Sequence, residues 1–318
     1  MNWRKSKAHL LLLSKFIHAQ QPDSFAELDY WKKALGELPL KAIKRFEDEK
    51  MLITADLNDL LLYRYKVNEL KDMLKQRDLP VSGSKDELVR RLVQADQDGM
   101  KKAVAELKLV KCTERGYEIA EQYLIAEKEK RAKVEFQVME YLTKRKFREA
   151  SLTVAAYEAE QVFSRGIGVD WKHYNPNDNI EMLKTIFESK PRIVAQLGDE
   201  KLEALRTGAA MMALWGTNMA KEWLPTDFET GLPFSNDAVA SHVLSYAQNR
   251  ANLLGLRKQG MVKRVKVLSS RDNRTCQECA SLDGKVFTID EALEKMPLPD
   301  WCNSAEGRCR CVYQYEMK

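Results

Sequence analysis

The 318-residue sequence lacks any apolar run long enough to cross a bilayer. The run Leu10–Leu13 is stopped by Lys15. It is too short for a membrane span or a signal-peptide core, and no small-residue cleavage site follows. Cytoplasm is therefore the expected compartment. Familiar catalytic signatures are missing too: there is no H-E-x-x-H, no P-loop and no G-x-S-x-G. Gly166-x-Gly168 lacks a third glycine and a strand before it. Histidine is scarce, with four residues, and His9, His18 and His242 read as structural or surface positions. Cysteine is nearly absent until the end: Cys112 stands alone before residue 276 and reads as a buried small residue, not a nucleophile. No fixed-period repeat, low-complexity tract or sustained heptad occurs. Charge of one sign is lacking as well. The net charge is +5, with a pI of about 8.7, so composition alone does not argue for nucleic acid.

Charged residues at 31% and hydrophobic residues at 44% fit a soluble, mainly α protein of two or three domains. Leu12, Phe16 and Ile17 share one face of an amino-terminal helix, and residues 25–62 read as helical through Leu35, Leu38, Ile43 and Phe46. Gly99 is expected to end the next segment, followed by a short helix at 101–109 and a strand at 109–113. From Glu118 to Phe163 there is no Gly or Pro, so one long helix or two in sequence are expected, with Leu142, Phe147 and Leu152 buried. The cluster Lys144, Arg145, Lys146 and Arg148 reads as a solvated face. Helices are then expected at about 179–189, 199–223 and 236–256, the second burying Leu202, Leu205, Ala209, Met212 and Met219.

Residues 63–92 read YRYKVNELKDMLKQRDLPVSGSKDELVRRL. Val67, Leu70, Met73 and Leu74 fall on one helical face. Leu79 to Ser84 is rich in helix breakers, and Leu88, Val89 and Leu92 follow at helical spacing. The order V-x-E-L-K-x-x-L-x-x-R-x-L, S-G-x-K, E-L-V-x-R-L resembles a SAP domain, a helix-extended-loop-helix module whose members bind DNA. The resemblance implies that amides opening the second helix, with Lys85 beside them, hold a duplex phosphate. Ser82, Gly83 and Ser84 would line that point, and Lys71, Lys75, Arg77, Arg90 and Arg91 would widen the footprint. Such contacts position a protein without reading bases and give salt-sensitive binding. Asp78 stands where the family usually has Gly, at a position expected to be left-handed. Thr113-Glu114-Arg115-Gly116-Tyr117 resembles a turn near the end of some winged-helix domains. It implies either a winged-helix-like unit into which the SAP-like module is set or a plain helical linker.

Five cysteines lie in the last 43 residues, as C-x2-C, 22 residues, then C-x6-C-x-C. Cys276 and Cys279 are the firmest metal pair. Cys302, Cys309 and Cys311 compete for the remaining two places, so four of the five would bind a structural Zn2+. A small β unit is expected around them, from residues 264–267, 285–287 and 312–315, with Arg271, Arg274, Arg308 and Arg310 offsetting thiolate charge. The stretch Asp272-x-Arg274-Thr275-Cys276-x-x-Cys279, then Leu282-Asp283-Gly284-x-x-Phe287, then Pro297, Pro299 and Cys309-Arg310-Cys311, resembles the phage Mu-type head-morphogenesis (minor head protein) family. Asn249 and Arg250 lie on the helix before it. This resemblance implies a phage or prophage origin and a virion role beside portal or capsid protein.

The expected architecture is a mainly α chain. A helical region at 1–62 leads to a SAP-like module at 63–98 and a strand, turn and long helical linker at 99–165. A helical domain at 166–260 and a small β zinc knuckle at 261–318 complete it. The expected function is binding of double-stranded DNA with low sequence specificity, not enzymatic catalysis. The alternatives are a head-morphogenesis protein and a zinc-containing nuclease. For the last, Asp170-Trp171-Lys172-His173 with Asn175 and Asp178 is the only candidate constellation.

Overall fold

The computed structural model describes residues 2–166, 168–302 and 309–317. The chain divides into two compact units, Met1–Arg131 and Ala132–Lys318.

The first unit begins with three short helices, α1 (Lys7–Ser14), α2 (Asp29–Leu35) and α3 (Pro39–Asp48). Their apolar faces meet around Trp3, Leu12, Phe16 and Phe46, with the rings of Trp3 and Phe46 packed edge-on at 4.8 Å. Polar groups inside this core are satisfied: buried His9 bonds Ser6 at 2.8 Å and Glu37 at 2.9 Å, and Arg45 donates to Glu37 at 2.7 Å. Leu38, expected inside, is 56% exposed, because it precedes Pro39 and caps α3 in extended conformation. A strand not expected in this region, β1 (Leu52–Thr54), follows.

Four helices come next: α4 (Leu57–Arg64), α5 (Val67–Lys75), α6 (Lys85–Ala95) and α7 (Gln97–Ala103). Gly99 lies inside α7 instead of ending the segment, since Asp96 caps that helix by accepting from the Gly99 amide at 2.9 Å. The strand β2 (Val110–Cys112) then pairs antiparallel with β1, Leu52 opposite Cys112. Helices α4 to α7 are thus an excursion between two paired strands. Thr113 closes the excursion by donating from its hydroxyl to the Lys50 carbonyl and from its amide to the Met51 carbonyl. The Met51 carbonyl comes so near Gly116 that a Cβ there would sit 2.1 Å from its oxygen, which only glycine permits.

Helix α8 (Glu114–Thr143) begins in the first unit and ends in the second. It is separated from α9 (Phe147–Ala159) by Arg145 in left-handed conformation, φ 57°, with the Lys146 amide closing back to the Tyr141 carbonyl. Leu142 and Phe147 are buried; Leu152 is 40% exposed because it lies on the opposite face of α9.

In the second unit, α10 (Asn177–Glu188), α11 (Asp199–Trp215) and α12 (Asn236–Gln259) pack with α9 around Leu183, Leu205, Met211 and Val239. Helix α11 stops at Trp215 because Gly216 turns left-handed there, so Met219 falls in the following loop, 40% exposed. The chain ends in a small mixed element: β3 (Val262–Leu268), α13 (Gln277–Leu282), β4 (Val286–Thr288), α14 (Ile289–Lys295) and β5 (Val312–Met317). The sheet order is β4-β3-β5, all antiparallel, with Val265 opposite both Phe287 and Tyr315. Its core joins Val265, Val267, Leu282 and Leu298. Among the described residues the chain is thus mainly helical with two small sheets, as its composition and periodicity indicate.

Candidate nucleic-acid interface and metal centre

The turn between α5 and α6 is built by side chains that bond the backbone. Asp78 ends α5 in left-handed conformation, φ 53°, and the Leu79 amide reaches back to the Leu74 carbonyl at 3.0 Å. Residues 80–84 then lie outside helix and strand, with a bend at Gly83 and Ser84 extended. Gly83 sits at φ 116°, and a Cβ on it would lie 2.5 Å from a Glu87 carboxylate oxygen. Ser84 is the N-cap of α6: its hydroxyl accepts from the Glu87 amide at 3.4 Å, and the Glu87 carboxylate accepts from the Ser84 amide at 2.7 Å. The Lys85 and Asp86 amides have no protein partner among the described residues. Behind this end, Leu61, Leu70, Leu74, Leu88, Val89 and Leu92 form a buried core with Met100 and Val104. The SAP domain family matches residues 64–97. A SAP domain is found there. It supports a DNA-binding role in general. Neither a search of curated proteins nor a search of solved structures gave a match to the chain.

Within the SAP domain the nine residues expected at DNA divide by what they touch. Ser82, Gly83 and Ser84 are exposed in the turn and at the helix start. Three cations are occupied with the fold. Lys85 lies back on the Leu62 carbonyl of α4 at 2.6 Å, Arg91 donates to the carbonyls of Pro80 and Ser82, and Arg77 ties the Met73 carbonyl to Asp96 at 2.7 Å. The Arg77 guanidinium, then the Gly99 amide, hold the Asp96 carboxyl below the usual carboxylate range. Lys75 pairs with Asp72 at 3.1 Å. Lys71 and Arg90 make no hydrogen bond or ion pair among the described residues, and Arg90 is exposed.

Sequence reasoning missed how far the domain's support extends. Leu61 of α4 and Met100 of α7 complete its core, and Lys111 of β2 bonds both Asp56 and Asp59 at the start of α4. The Leu57, Leu60 and Leu61 pattern and the Asp56-x-x-Asp59 capping box were the legible signals.

The C-terminal cysteines are brought together from three places. Cys276 caps α13, and its sulfur accepts from the Cys279 amide at 3.4 Å, the N–H···S bond of a tight knuckle. Cys302 follows the Pro299 turn, its sulfur 3.8 Å from that of Cys276. Cys309 lies three residues before β5, its sulfur 3.8 Å from that of Cys279. The sulfurs of Cys276, Cys279 and Cys302 lie within 4.8 Å of one another, as do those of Cys279, Cys309 and Cys311. All five expected cysteines are therefore in one cluster, which has the spacing to hold a metal ion. As thiols, Cys279 and Cys309 resist ionisation. Bonding to Cys302, then to Cys309, pushes Cys279 far up. Cys309 is lowered by Cys279, but Cys302 and burial outweigh this and leave it raised. A cation bound by these cysteines would reverse that balance by taking thiolates as ligands.

Two of the arginines near this cluster, Arg310 and Arg271, face carboxylates. Arg310 forks onto Asp272, with one bond of 2.7 Å, and Arg271 donates to Asp283 at 2.9 Å; Arg308 lies outside the described residues. The Arg310 fork holds the Asp272 carboxyl far below its ordinary value and clamps the knuckle turn to the C-R-C stretch.

The other candidate constellation is a surface turn. His173 bonds Asp170 at 2.8 Å with side chains 83% and 66% exposed, Asn175 accepts from the Asn177 amide, and the Asp178 side chain lies outside the described residues. Cys112 is half-buried, and burial pushes its thiol up to about 12. Among the described residues, the groups close enough to share a metal are the C-terminal cysteines. No helix among them is long and apolar enough to cross a membrane.

Proposed function

We propose that the protein binds double-stranded DNA through its SAP domain, contacting the phosphate backbone with low sequence specificity. The observation that carries this reading is the SAP domain at residues 64–97, with two unpartnered amides at the start of α6 beside the exposed turn of Ser82, Gly83 and Ser84. Lys71, Lys75 and Arg90 supply the outward charge, while Lys85, Arg77 and Arg91 hold the turn in shape. The reading is of a binding protein, not an enzyme. Its test is fluorescence anisotropy with a labelled duplex in dilute buffer. Micromolar binding that weakens steeply with salt is expected, and no complex with any duplex would overturn it. Incubation with plasmid and divalent metals should leave the DNA intact; cleavage would favour the nuclease alternative.

The cysteine cluster is proposed to hold a structural Zn2+. Four thiolates around zinc at about 2.3 Å stand about 3.8 Å apart, and the closest sulfur pairs here are 3.8 Å apart. Metal analysis of protein purified without added zinc should find one equivalent.

A second reading, a phage minor head protein acting at portal or capsid, is favoured by one feature. Asp272, Cys276, Cys279, Cys309 and Arg310, scattered through the head-morphogenesis-like motif, converge through the Asp272–Arg310 pair and the sulfur cluster. Co-purification with a portal protein, or a gene beside portal and terminase genes, would support it; a virion lacking the protein would not. In that setting the protein works in the bacterial cytoplasm or in the virion.

A further inference from the structure

Between Asp237 and Asp272 the sequence carries seven lysines and arginines and no acid. Three of the seven are occupied in the fold: Arg250 donates to the Leu293 carbonyl at 3.0 Å, Arg257 faces Asp290 at 3.5 Å and Arg271 holds Asp283. The other four are Lys258, in the last turn of α12, and Lys263, Arg264 and Lys266 of β3. The side chains of these four make no hydrogen bond or ion pair among the described residues, and all but the half-buried Lys266 are exposed. Their placement follows from the strand. Val262, Val265 and Val267 are buried, and strict alternation would send Lys263 to the core with Val265. A register shift between Val262 and Arg264 breaks the alternation and leaves Lys263 exposed beside Arg264. The middle strand of the sheet thus carries three cations apart from its buried valines. Their neighbours in register are Thr288 and Glu316 beside Arg264, and Val286 and Gln314 beside Lys266. Glu316 is the one acid among these neighbours, and none of them is aromatic.

We infer that the face of β3 bearing Lys263, Arg264 and Lys266 is a second contact for the phosphate backbone of duplex DNA. The inference rests on the DNA reading above. A row of cations on the middle strand of a sheet meets a row of phosphates and positions the protein without reading bases. The neighbours in register offer no ring on which an unstacked base could sit, so the face suits a duplex backbone better than a single strand. An anionic lipid surface would also attract these cations, but the chain's SAP domain supports a DNA-binding role and makes the duplex the favoured partner. Two contacts on one chain act through effective concentration. The sheet face by itself is weak; once the SAP domain holds the duplex, it adds affinity. Its signature is salt dependence, with about 0.9 in log–log slope for each phosphate neutralised.

The experiment uses the full-length protein and three variants of it. The first neutralises the sheet face (Lys263→Gln, Arg264→Gln, Lys266→Gln). The second keeps its charge (Lys263→Arg, Arg264→Lys, Lys266→Arg). The third neutralises the SAP domain (Lys71→Gln, Arg90→Gln). Anisotropy with a long labelled duplex of mixed sequence is measured across a salt series, and sedimentation with phosphatidylserine vesicles is measured alongside. The sheet-neutral variant should show a slope shallower by about 2.7 and an affinity at 0.1 M salt lower by about two orders of magnitude or more. The charge-keeping variant should match the wild type, and the SAP variant should weaken separately. If the wild type binds no duplex, the DNA reading fails and this inference with it. If the SAP variant weakens but the sheet-neutral variant loses less than one contact, about 0.9 in slope, the inference alone is overturned. If only the sheet-neutral variant weakens, the inference stands and the SAP reading fails. Equal loss in the charge-keeping variant would trace the effect to folding and overturn it. Vesicle binding that is lost in the sheet-neutral variant while its DNA binding is kept would give the face to a membrane and overturn it too.

Discussion

Replacing Lys85 and replacing Arg90 should have opposite consequences, although both are cations at the start of the second SAP helix. Lys85 Nζ donates to the Leu62 carbonyl at 2.6 Å and is half-buried, so it joins α6 to α4. A hydrogen bond from a charged donor is worth about 1.5–3 kcal/mol, and its removal also strands a carbonyl. Lys85→Ala should therefore lower the thermal midpoint of the first unit by several degrees. Arg90 is exposed and makes no bond among the described residues. Arg90→Ala should leave the midpoint unchanged. It should remove one phosphate contact, making the log–log salt slope shallower by about 0.9, which is about eightfold in affinity at 0.1 M salt. The assay pairs thermal melts with anisotropy titrations across a salt series. The reasoning is refuted if Lys85→Ala keeps the midpoint and loses the salt slope while Arg90→Ala does neither. That result would place the Lys85 ammonium on DNA instead of on Leu62.

Three further outcomes follow from the same structure. Asp78 holds φ 53°, so Asp78→Gly should stabilise the SAP domain by about 0.5–1 kcal/mol in denaturant melts, and removing its charge should tighten duplex binding slightly. Leu74 is fully buried in the domain's core, so Leu74→Ala should cost about 2–5 kcal/mol and abolish binding through loss of the fold. Burial raises the Glu37 carboxyl, but bonds from Arg45 and His9 outweigh that and leave it lowered. A lowered carboxylate stabilises the fold above its unfolded value of 4.5 and loses that contribution as pH falls through the folded value. Chemical denaturation of the first unit should therefore show stability falling below pH 4.5, and Glu37→Gln should flatten that limb.

Local periodicity and turn chemistry were enough for the parts of the molecule whose contacts are near in sequence. The SAP helices, the left-handed Asp78, the capping Ser84 and the three strands of the terminal sheet were all legible, because each depends on residues a few positions apart. Only the tertiary structure decided matters that depend on distant partners. It paired β1 with β2 across 58 residues, turned Lys85 inward to α4, and ended α11 at Gly216, leaving Met219 outside. It also set Cys276 against Cys302 and Cys279 against Cys309, with Cys311 within 4.8 Å of the second pair. Spacing could supply five donors but not their order around a centre. That order comes from how β3, α13 and β5 fold back on one another, and no short stretch of sequence encodes such a distance.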